Sequence, residues 1–304
     1  MKKTIIGLSI LLFGLSISSH AQLSKDSKLI LDEKQDSLIK IGYTMLNDTN
    51  PGKRVDALHK FIPALTRALK TDESFYYPFD SLTCISSLYA PDSTFRILSW
   101  QLYLGKGMYR YYGTIQMQSD KLKMFPLFDT SDTMTYHIQD TLNQDCWLGQ
   151  LYYKIIKTYA LGRNCYILFG YDGYDLFGHR KIADVLWFNQ GYPRFGLPIF
   201  KYKYKDGHTA TANRIFLDYK FNAVATMNYD TTQHLIVYDH TEPEDSSNIG
   251  LGFTYVPDGT YEGFKYEGGF WNWVEKVFTF AINENDNPPV PEPLFDKTKD
   301  NRFK

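Results

Sequence analysis

The sequence predicts a mainly β protein, α+β overall: an N-terminal helical hairpin followed by a large antiparallel β-meander, sandwich-like or half-barrel. Three observations carry this. Apolar residues step by three and four up to about residue 72. From Phe75 to Phe280, strand-length apolar runs alternate with Gly, Asp and Asn turns. The composition is 16% aromatic, with 24 Tyr and 21 Phe, residue types that suit pleated, half-buried surfaces.

The chain opens with a secretory pattern. Lys2 and Lys3 precede an apolar stretch from Ile5 to Ile17, and Ser19 and Ala21 put small residues at −3 and −1 of a cleavage site after Ala21. A basic start, an apolar run of about 7–15 residues and such a site define a signal peptide. The stretch is too short for a membrane anchor, which needs about 20 apolar residues. With no Cys near the site to accept lipid, the expected product is soluble and periplasmic or secreted. The expected division is 1–21 signal peptide, 22–74 helical segment, 75–280 antiparallel β domain and 281–304 Pro-rich flexible tail.

Loss of Lys2 and Lys3 leaves 31 basic against 34 acidic side chains, a net charge of about −3. Nucleic acid and anionic membranes call for a basic surface, so neither is expected as a partner, and no membrane span is expected after cleavage. The partner class stays open between a glycan and an envelope protein. Cys84, Cys146 and Cys165 allow one disulfide in an oxidising compartment. Cys165 lies in the apolar run Cys165-Tyr166-Ile167-Leu168-Phe169, where a buried thiol acting as a small hydrophobe is the plainer expectation.

In the helical segment, Val55, Leu58, Ile62, Leu65 and Leu69 form one helix stripe. Asn50-Pro51 supplies an N-cap and a first-turn proline, and Pro63 is expected to kink the helix. A weaker stripe, Leu31, Leu38, Ile41 and Met45, precedes it across the turn Asn47-Asp48-Thr49-Asn50.

In the β region, Phe95 to Trp100 leads through Gly105-Lys106-Gly107 into Tyr109 to Gln116, a hairpin with glycine at the reversal. Similar pairs begin near 149, 181, 212 and 250, and Asp206-Gly207, Pro257-Asp258-Gly259 and Gly268-Gly269 read as turns. Phe200-Lys201-Tyr202-Lys203-Tyr204-Lys205 alternates a buried aromatic face with a charged one. Five pairs also admit a small irregular β-propeller. However, their spacing of about 30–40 residues falls short of the usual blade repeat of roughly 40–50, and no signature recurs.

Four sites are candidates. Asp239, His240 and Glu242 follow the apolar strand Leu235-Ile236-Val237-Tyr238. Carboxylates beside an imidazole at a strand end suit a divalent metal or acid–base chemistry. If that strand continues, His234 and His240 share a face; the plain alternative is a polar strand exit into the acidic loop 242–245. Asp172 and Asp175 flank Gly173 in what reads as a hairpin loop, without calcium-loop spacing. Trp271 and Trp273 are same-face candidates for a sugar-stacking platform, or else core residues. Asn283 to Pro288 looks like a calcium linker between cadherin repeats, but no second domain follows to complete such a site. No G-x-S-x-G, H-E-x-x-H, G-x-G-x-x-G, Walker A or paired C-x-x-C occurs, and no cofactor or dedicated metal motif is expected.

Three strings, Ser74 to Leu82 (SFYYPFDSL), Ala90 to Ile97 (APDSTFRI) and Val256 to Tyr261 (VPDGTY), resemble a group of uncharacterised exported proteins of Bacteroidetes-type bacteria. The likeness spans most of the mature chain. It implies a Gram-negative envelope and transfers no functional residues. The leading expectation is therefore a non-enzymatic β-rich binding or structural module of the envelope. The alternative is a hydrolase or metal-dependent enzyme using Asp239, His240 and Glu242.

Overall fold

The computed structural model describes residues 23–133, 135, 138–173, 176–203 and 206–277. The signal segment, Asp175, the Asn283–Pro288 string and the Pro-rich tail lie outside them. Two helices, α1 (Lys25–Asn47) and α2 (Pro51–Leu69), form the hairpin. Asn50 Oδ1 accepts from the amides of Gly52 and Lys53, satisfying two orphan donors at the start of α2. Leu31, Leu38 and Met45 of α1 and Leu58, Leu65 and Leu69 of α2 are buried as expected, whereas Val55 is half-buried and Ile62 lies off the packed face. Phe61 is fully buried and Ile62 is largely exposed, because the face that packs also carries Arg54, Ala57 and Ala68. The helix continues through Pro63, which faces solvent.

Among the described residues, sixteen strands follow in three sheets. β1 (Ser86–Tyr89), β2 (Phe95–Gly105), β3 (Met108–Met117) and β4 (Met124–Phe128) form the first, in order β1-β2-β3-β4. The hairpin at Gly105-Lys106-Gly107 pairs Phe95 with Met117, with positive φ at all three turn residues. β5 (Leu142–Asn143), β6 (Leu151–Ala160), β7 (Arg163–Asp172), β8 (Gly178–Asn189) and β9 (Tyr192–Phe195) form the second. β10 (Phe200–Lys203) and β11 (Thr209–Ala212) begin the third, β12 (Arg214–Lys220) returns to pair with β8, and β13 (Met227–Asp230), β14 (Leu235–Pro243), β15 (Tyr255–Glu267) and β16 (Phe270–Val274) complete the third sheet. Pairing is antiparallel between neighbouring strands except for β10 with β16, which run parallel and are separated in the chain by β11 to β15.

The side-chain alternation of the strands stacks these pieces in layers. Leu98, Trp100 and Leu102 of β2 face the helices and share a core with Leu58, Phe61 and Leu65. Phe95 and Ile97, on the other face, pack with Tyr166, Leu168 and Leu186 of the second sheet. The second sheet's opposite face, Cys165, Ile167, Phe169 and Val185, meets Ile236, Phe264 and Trp271 of the third. The result is a helix layer followed by three unclosed sheets packed face to face. This is the mainly β, sandwich-like arrangement rather than blades around an axis. Continuous apolar runs in β7 and β8 follow from this position, since only a sheet covered on both faces needs both parities apolar.

The cysteines are free; Cys165 is buried in the core between the second and third sheets. Burial pushes the Cys84 and Cys165 thiols up to about 11. Among the described residues, no helix is long and apolar enough to cross a membrane.

Candidate functional site

β14 does not end after Tyr238. It runs on through Asp239, His240 and Glu242 to Pro243, paired with β15, so these residues are strand rather than a polar exit. Opposite them, Pro257-Asp258-Gly259 is not a hairpin turn but the interior of β15. Asp239 pairs with Tyr261 and Thr241 with Pro257, so His240 alone faces Asp258, Gly259 and Thr260. This bulge rests on Gly259 at φ +88°, a conformation a side chain would strain.

The bulge turns Asp258 towards His240, with Oδ2 at 2.9 Å from Nδ1. Oδ1 of Asp258 accepts from the amide and hydroxyl of Thr260, each at 2.8 Å. Burial opposes ionisation of Asp258, but these bonds and the imidazole outweigh it and hold the carboxyl below the usual carboxylate range. On the other side of the ring, Glu262 Oε1 lies 3.7 Å from Nε2. Glu262 Oε2 accepts from Tyr238 Oη at 2.8 Å and from Trp273 Nε1 at 3.1 Å, which fixes it at the rim of the core. Glu242 completes the group: one ligand atom each from His240, Glu242 and Asp258 lies within 4.8 Å of the other two.

The structure therefore divides the triad read from sequence. Asp239 has the opposite parity, is buried, and accepts from the Thr226 amide at 2.5 Å and hydroxyl at 2.7 Å. Its role is to tie the strand edge to the loop before β13. His234 does not join His240. It sits in the β13–β14 turn at φ +55°, with Nδ1 3.0 Å from Tyr229 Oη, so strand parity does not extend to it. Asp258 as a donor, and Glu262 as a neighbour of the ring, were invisible in the sequence. Their only local signal, Asp-Gly, reads as a turn, and the register that opposes them to His240 is tertiary.

The other candidates take separate places. Asp172 is buried at the end of β7, in register with Arg180, and lines a cavity of about 550 Å³ with Arg110, Asp132 and Ile182. Neither His240 nor Glu242 lines it. Trp271 is 3% exposed and its Nε1 donates to Thr158 Oγ1 at 3.3 Å, so its face is not open to a sugar. Trp273 is half-buried beside Tyr202 and Glu262. Both are sheet-face residues of the core that supports His240, and the stacking platform is not formed.

Fold and cluster together define a β-rich module carrying an imidazole–carboxylate group capable of chelation. No protein-family model, curated protein or solved structure matches the chain.

Proposed function

We propose that the protein is an exported envelope module that binds a divalent cation through His240, Glu242 and Asp258. The observation that carries this reading is the convergence of one nitrogen and two carboxylate donors across the β14–β15 bulge. One imidazole with carboxylates suits zinc or manganese better than calcium, which takes oxygen donors only. The hydrogen bond between His240 and Asp258 is compatible with this, since the cation would replace the proton they share. Glu262, held by Tyr238 and Trp273, is placed to orient the ring in the manner of an outer-shell carboxylate. Export rests on the Lys2–Ala21 signal pattern.

A metal-dependent hydrolase is the second reading, favoured by the exposure of Glu242 and Asp258. A cation held at an open rim keeps positions for water, and a bound water becomes a nucleophile near neutral pH. The test is metal analysis and titration calorimetry with zinc and manganese on the purified mature chain. Stoichiometric binding, lost in His240→Ala and Asp258→Asn while folding is kept, is the expected result. A folded chain that takes up neither ion overturns the reading.

A further inference from the structure

The helix layer is narrower than the sheet beneath it. α2 packs on β2 and leaves the outer strands β3 and β4 only partly roofed, with Tyr112 half-buried and Pro126 exposed. Between α2 and the face of β2 to β4 lies an apolar slot of about 240 Å³, with Ile62, Leu69, Trp100, Tyr112, Met124 and Phe128 among its walls. Ile62, turned off the packed face, stands at its rim, 37% exposed, and Phe128 on the strand side is 56% exposed. Alternation explains the strand side: Phe125 and Leu127 turn into the core with the second sheet, so Met124, Pro126 and Phe128 face the helix layer.

The walls make little polar demand. None of them carries a charge. Thr66 Oγ1 donates to the Ile62 carbonyl at 2.9 Å and Thr114 Oγ1 to the Phe125 carbonyl at 3.1 Å, so both hydroxyls are committed to backbone. Trp100 Nε1 has no acceptor but is fully buried, out of a ligand's reach. Trp100 and Tyr112 stack with 16° between their planes and give the slot a flat aromatic floor.

Size and edge chemistry decide what fits. An added β-strand is blocked at Pro126. Phe128 donates its amide away from β3, to the Gln144 carbonyl at 2.8 Å, so Pro126, on the same side two residues earlier, has no N–H to offer. A helix is too thick, since one turn about 10 Å across fills roughly 400 Å³. A methylene takes about the room of a water, roughly 30 Å³, so the slot holds about eight carbons. The α2 wall from Ile62 to Leu69 is about 10 Å long at the helical rise. Eight carbons in file, advancing about 1.2 Å per bond as an extended backbone does, span nearly the same length. Volume and length agree on a single extended chain.

We propose that this slot binds the alkyl chain of a small amphiphile, unbranched and about eight carbons long, with its head group left in water at the Ile62–Phe128 rim. It is separate from the His240 cluster, which belongs to the third sheet.

The experiment is titration calorimetry of the mature chain with butanol, hexanol, octanol, decanol and octanoate. Affinity should rise about fourfold per methylene up to octanol and by less than about twofold from octanol to decanol. Octanoate should bind much as octanol does, because the walls carry no charge. Thr66→Phe, at a half-buried wall position, should fill the slot and weaken octanol by about tenfold or more. Phe128→Ser, at an exposed position that leaves the core intact, should weaken it by about threefold or more, with circular dichroism confirming the fold of both variants. A folded chain that binds none of the alcohols overturns the proposal. So does an affinity that climbs as steeply beyond eight carbons as before, octanoate binding where octanol does not, or unchanged octanol affinity in either folded variant.

Discussion

His240 and Asp258 face each other at 2.9 Å because one residue of β14 is spanned by three of β15. The cluster is thus made by a backbone irregularity, and its integrity depends on a residue that supplies no ligand. Gly259→Val should strain the positive-φ position by about 1–3 kcal/mol and pull Asp258 away from His240. Zinc affinity should fall by about tenfold or more although every donor side chain is intact. Calorimetry on the folded variant checks this, and an unchanged affinity would dismiss the bulge as the organiser of the site.

A second prediction concerns Asp92, which links the first sheet to the second. Its carboxylate accepts from Lys157 Nζ at 3.0 Å, Tyr166 Oη at 2.8 Å and Thr94 Oγ1 at 2.8 Å. Burial works to raise its pKa, but these bonds outweigh it and lower the carboxyl to about 2. A carboxyl depressed in the folded state contributes stability that is full above its unfolded value, about 3.9, and is lost as pH falls through the folded one. Asp92→Asn should therefore lower the urea midpoint at neutral pH. The gap to wild type should close between roughly pH 4 and pH 2. A gap constant across that window would show that the charge contributes nothing.

Arg214 and Asp184 are cross-strand partners on β12 and β8, both fully buried, with Nε to Oδ1 at 3.2 Å. Burial pushes the Asp184 carboxyl up, against the pull of Arg214, and its Oδ2 has no donor. Removing one partner strands the other. Arg214→Met should cost about 3–5 kcal/mol in urea unfolding, while the double variant Arg214→Met/Asp184→Leu should cost less than the single. A double variant worse than Arg214→Met alone would mean that the pair is needed for packing rather than for mutual neutralisation.

The packing of α1 on the loop before β1 depends on the absence of a side chain at residue 42. A Cβ there would overlap Cys84 Sγ. Gly42→Ala should destabilise by about 1–3 kcal/mol through overpacking, and Cys84→Ala should relieve much of that cost in the double variant. Thermal melts of the four combinations give the coupling directly; additive losses would place the strain elsewhere.

Much of the architecture was legible in the chain, because it rests on local periodicity. The steps of three and four in Leu31–Met45 and Val55–Leu69 specify helices wherever they dock, although Phe61 replaced Ile62 at the interface once the sheet chose the face. Lys106 between two glycines specifies a reversal whatever it connects. The runs in β7 and β8 carried apolar residues at both parities, which announces a sheet covered on two sides. His240 and Glu242 were visible, with Asp239, as a polar cluster directly after the apolar run Leu235–Tyr238.

What the sequence alone determined is therefore the helix and strand elements and half of the candidate cluster. Tertiary structure decided the rest. Asp239 was turned inward to Thr226, while Asp258 and Glu262 were brought in from about twenty residues downstream. Ile62 of the helix layer and Phe128 of the first sheet were set around one slot. The physical reason is register. Side-chain alternation is written into each strand, but which residue opposes which, and where a bulge shifts the count, follows only from how the strands pair and the layers pack.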